Sequence, residues 1–295
     1  MAKSKPLVTV ITPSFNQGGF IGETIESVLN QNEDVEHLIF DGGSTDDTVA
    51  VLRSYGPEIS WVSEPDRGQA DAVNKGLKNV SSEIIGWLNS DDIYYPDALE
   101  KVLKLFHDHP DVDIVYGRAD HLDASGLFIE EYPTEEWDFE RLKEICFICQ
   151  PTVFFRKKIV EEFGVLDDSL NFCMDYEYWL RIGRDKDFYF LNEKLAGSRL
   201  YGENKTLGSA VGVHEEILKM FKEKFGEIPI RWIYGYAIVY AREIFKLQKK
   251  DCGGIIFPIV VAVVSLFKTI QYRNRTSYKD LKRAISWFGG GLLSR

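Results

Sequence analysis

Hydrophobic and polar positions follow a repeated order along the first hundred residues: a short apolar run, a polar loop, then apolar residues at helical spacing. Leu7 to Thr12 is such a run; it ends at Pro13-Ser14-Phe15-Asn16, after which Ile21, Ile25, Val28 and Leu29 share one helical face. Glu36 to Phe40 repeats the plan, with Asp41-Gly42-Gly43-Ser44-Thr45-Asp46-Asp47 as loop and Val49, Val51 and Leu52 on the helix behind it. Ile59 to Ser63 repeats it again through Glu64-Pro65-Asp66-Arg67-Gly68 into Gln69 to Lys78, and Glu83 to Leu88 makes a fourth strand, followed by a helix that Pro96 opens. Such a series predicts an α/β fold with a mostly parallel sheet covered on both faces. Ligands of these sheets bind outside the carboxyl ends of the strands. The loops carrying Thr12, Ser14 and Asn16, Asp41 and Asp46, Asp66 and Arg67, and Asn89 to Asp92 must then gather on one edge. One polar loop means only that loops are solvated; four on one edge predict a ligand crevice.

From Asp111 the pattern changes. Asp113 to Leu122 and Leu127 to Tyr132 read as strands around a Ser125-Gly126 turn, and Pro151 to Phe155 as another, so this half is more antiparallel. A helix over about Asp175 to Ile182 and strands Phe188 to Leu191 and Leu195 to Leu200 follow. The expected organisation is one domain over 1–206, divided at about 110 into a nucleotide-binding half (7–110) and an acceptor and catalytic-base half (111–206), then a helical tail over 207–295.

Charge separates body from tail. The 295 residues carry a formal charge of −11, which argues against a nucleic-acid binder. Residues 231–295 hold 12 Lys/Arg against 3 Asp/Glu, or +9, leaving −20 on the remainder. A basic tail suits an anionic partner, most simply a membrane surface. Its longest apolar run, Ile255 to Phe267, contains Pro258 and is too short to span a bilayer as a helix, so a core helix and an interfacial segment both stay open. No secretory leader is read behind Met1, so the setting is expected to be reducing and cytoplasmic, peripheral on the inner membrane face. Cys146-x-x-Cys149 has no second pair to complete a zinc site, and cysteines in apolar surroundings pack as small hydrophobes. His37, His107, His109, His121 and His214 form no spaced cluster and read as surface or cap residues. Trp232, Tyr234, Tyr236 and Tyr240 read as helix packing rather than a sugar platform.

Two acidic sites carry the candidate chemistry. Asp91 and Asp92 end the fourth strand; alone they read equally as helix caps and as hard oxygen ligands for Mg²⁺ or Mn²⁺. Asp175 and Glu177 lie two apart near a helix start, so they cannot share a face, and Asp175 is the one placed to serve as a general base or as a cap.

The ordered series ITPSFN (11–16), DGGSTDDT (41–48), EPDRGQADAVNKG (64–76), LNSDDIYYPDAL (88–99), QPTVFFRK (150–157), GVLDDSL (164–170) and MDYEYWLR (174–181) resembles the family 2 glycosyltransferases of the GT-A fold, over about Leu7 to Thr206. The resemblance implies a Rossmann-like, mostly parallel sheet with an antiparallel second half. It also implies metal-dependent, inverting transfer of a sugar from a nucleotide-diphosphate donor to an acceptor hydroxyl, in polysaccharide, lipid-linked glycan or glycolipid synthesis. Thr12, Pro13, Ser14 and Asp41 then fall at the donor nucleoside, with Asp66, Arg67, Gln69 and Asn74 beside base and diphosphate. The D-x-D motif falls on Asn89-Ser90-Asp91: Asp91 is the ligand of Mn²⁺ or Mg²⁺, and Asn89 and Ser90 contact the donor. Asp175 matches the catalytic base, and Gln150, Tyr176 and Arg181 lie on the side of the carbohydrate or lipid-linked acceptor; Gln150 reads equally as a strand end.

The chain departs from the family in three places: Asn89 replaces the first acid of D-x-D, Met174 replaces an acid before the base, and Tyr201 stands where many members carry a His. Arg199 or Lys205 could make good the missing His. These departures point mildly to an alternative, an inactive sugar-nucleotide-binding or scaffold protein of the same fold. A nucleotidyltransferase would need a basic Gly-rich first loop, and 13–19 contains no Lys or Arg.

Overall fold

The computed structural model describes residues 6–202, 208–248 and 256–272. The chain divides into two compact units, one of residues 1–142 and 146–204 and one of 143–145 and 205–295.

In the first unit β1 (Val8–Ser14), α1 (Ile21–Leu29), β2 (Val35–Asp41), α2 (Thr48–Ser54), β3 (Ser60–Ser63), α3 (Gln69–Asn79) and β4 (Ile84–Trp87) follow the expected alternation. β1 pairs in parallel with β2 and with β4, and β3 lies outside β2. The chain therefore moves outward from β1 on one flank and returns on the other, which puts the reversal of strand order between β1 and β4. Pairing of β1 with β4 stops at Ile11 opposite Trp87, whereas pairing with β2 runs on to Ser14 opposite Asp41. Beyond Ile11 the two strands part and leave a crevice at the position where such sheets take ligands. Pro13, which has no N–H to donate, is tolerated there because β4 has already left its flank.

Alternate residues of β1 bury its two faces. Val8 and Val10 join a core with Val28 of α1 and with Ala98, Leu99, Val102, Leu105 and Phe106 of α4 (Ala98–Asp108), whose spacing is a single helical stripe. On the opposite face α3 packs closely: a Cβ on Gly76 would lie 2.4 Å from Cγ2 of Ile11. The helix expected to open at Pro96 begins at Ala98, because Asp97 turns the chain through a left-handed conformation (φ 62°).

The second half completes a nine-stranded sheet ordered β3-β2-β1-β4-β8-β6-β9-β5, with β7 paired to β6. Its strands are β5 (Ile93–Tyr94), β6 (Ile114–Leu122), β7 (Phe128–Glu131), β8 (Phe154–Arg156) and β9 (Tyr189–Arg199), and its helices α5 (Phe139–Glu144), α6 (Lys158–Phe163) and α7 (Met174–Ile182). Four of the pairings are antiparallel and β6–β9 is parallel. Two expectations change. Gln150–Thr152 is a 3₁₀ turn and the strand starts at Phe154, since Pro151 has no N–H for a central ladder. The two expected strands after Phe188 are one, because register shifts around Arg118 let β9 carry extra residues while still pairing β6.

The second unit contains α8 (Ala210–Met220), a π-helical turn Phe221–Phe225, α9 (Ile230–Glu243) and α10 (Ile256–Tyr272). Phe257 and Val261 of α10 pack on Ala237 and Ala241 of α9. Pro258 is accommodated in the first turn, where its missing N–H would have no intrahelical partner. Tyr234 and Tyr236 are buried, as expected of packing residues. Among the described residues no helix is long and apolar enough to cross a membrane. Lys205 and Cys252 lie outside the described residues.

Candidate active site

The first two loops of the crevice are clasped together. Asn16 N–H donates to Ser44 Oγ (2.7 Å), Thr45 N–H to Asn16 Oδ1 (2.9 Å), Gln17 N–H to Thr48 Oγ1 (2.9 Å) and Gly18 N–H to Asp46 Oδ2 (2.9 Å). Asp41 organises the second loop from within: its carboxylate accepts from Gly43 N–H (3.2 Å), Ser44 N–H (2.9 Å), Ser63 Oγ (2.6 Å) and the Ser44 hydroxyl. Those four donors fill most of what a carboxylate can accept, so Asp41 acts on the site through the shape of its loop. Gly43 (φ +84°) supplies the left-handed turn that lets the loop fold back on Asp41.

The residues of β1 divide. Thr12 is fully buried and its hydroxyl bonds His37 Nε2 at 2.9 Å. His37, expected at the surface, is 2% exposed, because β2 carries it into the sheet opposite Val10. Desolvation lowers its pKa to about 3, so the ring is neutral. Ser14, at the end of β1, is buried, yet its hydroxyl has no hydrogen-bond partner among the described residues.

Across the crevice the third and fourth loops are linked. Gln69 Nε2 (2.8 Å) and Trp87 Nε1 (2.9 Å) both donate to Asn89 Oδ1. An indole N–H only donates, so the atom facing it must be the amide oxygen, and Asn89 Nδ2 is thereby turned to Asp92 Oδ2 at 3.4 Å. The Asn89 carbonyl is thus already engaged twice. Ser90 beside it is 4% exposed. Asp66 accepts from Gly68 N–H (2.8 Å) and crowds Gly42, where a Cβ would lie 2.8 Å from Asp66 Oδ2. Arg67 pairs with Asp71 (2.8 Å) and Asp168 (2.5 Å). Asn74 is 5% exposed and grips the Leu166 backbone in both directions, donating to its carbonyl (2.9 Å) and accepting from its N–H (2.9 Å). It holds the segment 164–172, not the crevice floor.

The two strand-end acids occupy different surroundings. Asp92 is 3% exposed and accepts Arg199 N–H at 2.9 Å. Desolvation, then the neighbouring Asp91 charge, raises its pKa. Asp91 is partly exposed; desolvation raises its pKa too, opposed by a 2.9 Å hydrogen bond from Tyr201 Oη and by the Arg199 charge. Tyr201, in the position of the missing His, therefore meets the candidate metal ligand directly, packs its ring 5.0 Å from Phe20 and is also hydrogen-bonded by Gln17. Arg199 is a brace beneath the loop: its guanidinium donates to the Asp91 carbonyl (2.6 Å) and to Glu23, and lies over the Phe20 ring. Phe20, Glu23, Gln17, Trp87 and Asp168 were not singled out from the sequence, since only folding shows what they touch.

Asp175 sits in the first turn of α7, partly exposed, with Glu177 buried on another face. Arg181 answers Glu177 through two 3.0 Å contacts and donates to the Phe163 and Val165 carbonyls, while Tyr176 Oη donates to Leu142 O at 2.6 Å. These contacts fix α7 and the segment before it. Gln150 is 8% exposed, donates to Trp87 O (2.6 Å) and keeps an unpartnered Oε1. Cys146, Cys149 and Cys173 are free thiols. Cys149 links the two acidic sites: burial pushes its thiol up, and both Asp92 and Asp175 push it further. Asp175 acts likewise on Cys146 and on the hydroxyl of Tyr132. Asp92 and Asp175, 83 residues apart in the chain, therefore both act electrostatically on one buried thiol.

Comparison with known proteins bears on the fold and the family. An uncharacterized glycosyltransferase from Rickettsia typhi is 30% identical over 225 residues, covering 72% of this chain and 69% of the relative. Among solved structures, S. aureus TarS 1–349 in complex with UDP-GlcNAc superposes with a TM-score of 0.61 at 16% identity, covering 84% of this chain and 74% of that one. The mannosyltransferase PcManGT from Pyrobaculum calidifontis, in complex with GDP-Man and Mn²⁺, gives 0.59 at 17% identity, covering 98% and 81%. These structural likenesses establish the fold. The family model for glycosyl transferase family 2 matches residues 9–164, more than half of the chain, and the chain belongs to that family.

Proposed function

We propose that this glycosyltransferase carries out a single inverting displacement, moving a sugar from a nucleoside diphosphate to an acceptor hydroxyl, with Asp175 as general base and Asp91 as the protein's metal ligand. The observation that supports the reading is that Asp92, the neighbour of Asp91 at the end of β4, and Asp175 both act electrostatically on the one buried thiol of Cys149. The clasped first and second loops and Ser14 supply the nucleoside side, with Asp66, Arg67 and Gln69 beside the diphosphate.

Asp91 suits a hard cation: it is a desolvated carboxylate whose raised pKa the Arg199 charge and the Tyr201 hydroxyl oppose only in part. Among the described residues no group of three or more His, Cys, Asp or Glu could hold an ion; with Asp91 as the protein's carboxylate ligand, phosphate oxygens and water would supply the rest of the shell, as Mg²⁺ allows. When bound, the ion would neutralise charge on the leaving diphosphate. Asp175 takes the proton of the acceptor hydroxyl as that oxygen forms its bond to the anomeric carbon, and the bond to the diphosphate breaks on the opposite face. One displacement inverts the centre and needs no carboxylate nucleophile, unlike a retaining glycosidase. Gln150 Oε1, buried and without a hydrogen-bond partner among the described residues, accepts from the acceptor hydroxyl in this reading. The acceptor is a carbohydrate or lipid-linked glycan, met by an enzyme held peripherally at the membrane.

A screen of sugar nucleotides with Mn²⁺ and Mg²⁺, read by melting shift and by nucleoside diphosphate release, identifies the donor. Asp91→Ala then loses the metal-dependent response, and Asp175→Asn keeps the donor-induced shift while losing transfer. Full transfer by Asp175→Asn would remove that residue from its role; donor binding without any turnover by the unmodified chain would favour the scaffold alternative.

A further inference from the structure

α10 is built the wrong way round for a helix that covers a core. At 100° per residue, Ile256, Ile259, Val263, Leu266, Phe267 and Ile270 fall within about a 100° arc, and these side chains are 39–66% exposed. The opposite face, buried on its neighbours, carries Ser265, Lys268 and Thr269 beside Phe257 and Val261. Lys268, the single charged residue of the helix, lies inward against Glu215 (3.3 Å) and over the Tyr236 ring (4.4 Å). The outward arc therefore has no charge at all. Six adjacent apolar side chains make a patch on the order of several hundred Å², the size at which an exposed surface marks a binding site rather than scatter.

Charge selects the occupant. In sequence the helix is bracketed by Lys246, Lys249 and Lys250 on one side and by Arg273, Arg275, Lys279, Lys282 and Arg283 on the other. A second copy docked on this face would bring two such segments together. An anionic bilayer attracts both brackets and takes up the apolar arc. Among the described residues no helix is long and apolar enough to span: the 17 described residues of α10 reach about 26 Å against a hydrocarbon core of about 30 Å, and one face packs on α9.

We infer that α10 lies in the plane of an anionic membrane, with Ile259, Val263, Phe267 and Ile270 inserted among the lipid chains. The inference rests on the peripheral placement proposed above and names its contact surface; it does not use the transfer chemistry. The test is co-sedimentation of the full chain with vesicles of phosphatidylcholine alone or with about a third phosphatidylglycerol, at low and high salt. Expected are binding to the anionic vesicles, loss of most of it at high salt, and at least a tenfold loss in the double variant Val263→Asp/Phe267→Asp with melting temperature and donor binding unchanged. Replacing basic residues of 273–283 by Gln weakens binding about fivefold per charge. Equal binding by the double variant overturns the inference. So does a dimer in sedimentation velocity that the double variant abolishes while the unmodified chain ignores vesicles. Vesicle binding without donor turnover would instead fail the transferase reading alone.

Discussion

Asn74→Ala separates two roles for one residue. The family resemblance places Asn74 at the donor, yet in the fold its amide closes a two-way hydrogen bond with Leu166, 92 residues away. Leu166 is 4% exposed, so truncation leaves a buried N–H and a buried C=O without partners. Each unsatisfied group costs about 1–3 kcal/mol; allowing for partial relaxation, the pair predicts a loss of about 2–4 kcal/mol. With a urea dependence of about 3 kcal/mol per M, the unfolding midpoint should fall by roughly 1 M. The same mooring fixes the segment that runs into Asp175, and a misplacement of about 1 Å at a reacting group costs on the order of 100-fold. The expected signature is therefore a kcat reduced 10- to 100-fold, with donor Kd, measured by titration calorimetry, essentially unchanged. An unchanged urea midpoint together with a large rise in donor Kd would refute the reasoning and place Asn74 against the nucleotide.

His37 gives a pH signature. Its folded pKa of about 3 lies below the ordinary 6.5, so the unfolded chain binds the extra proton; stability is complete above about pH 6.5 and lost as pH falls toward 3, by at most about 1.4 kcal/mol per pH unit. Between pH 7 and 5 the urea midpoint should fall, and His37→Gln should flatten that fall; an equal slope in the variant would assign it to other groups. Asn89→Ala strips the acceptor from the buried Trp87 and from Gln69, lowering stability by about 1–3 kcal/mol in thermal melts. The Mn²⁺-induced shift should survive, since Asp91 is untouched, and its disappearance would make Asn89 a ligand.

The first four strands and their loops were legible because each is a short run rich in apolar and β-branched residues that ends at turn-forming residues. Short strands were harder: Ile93–Tyr94 is a two-residue strand whose pairing with β9 has no periodic signal, and a proline set at a sheet position disguised the turn at Gln150. At the site, the run of acids after β4 was visible, and the family resemblance singled out Asp91 from it. The partners of Asn74, Tyr176 and Arg181 were not, because motif positions record residue type and the fold alone decides which backbone groups those side chains meet. His37 was misread since a lone histidine in a strand looks the same whether it faces water or a buried threonine.

The strand order also bears on synthesis. β4 lies between β1, made earlier, and β8, which is completed about seventy residues later. At ribosomal speeds of about 5–20 residues per second, β4 waits roughly 4–14 s with one edge unpaired, and unpaired strand edges are where nascent chains aggregate. The Arg199 N–H that donates to Asp92 emerges later still. A chain cut near residue 110 would therefore keep the apparent nucleotide half but leave its central strand open and its strand-end acids without their brace. The two halves read from the sequence share one sheet within one compact unit and are not separable folding units.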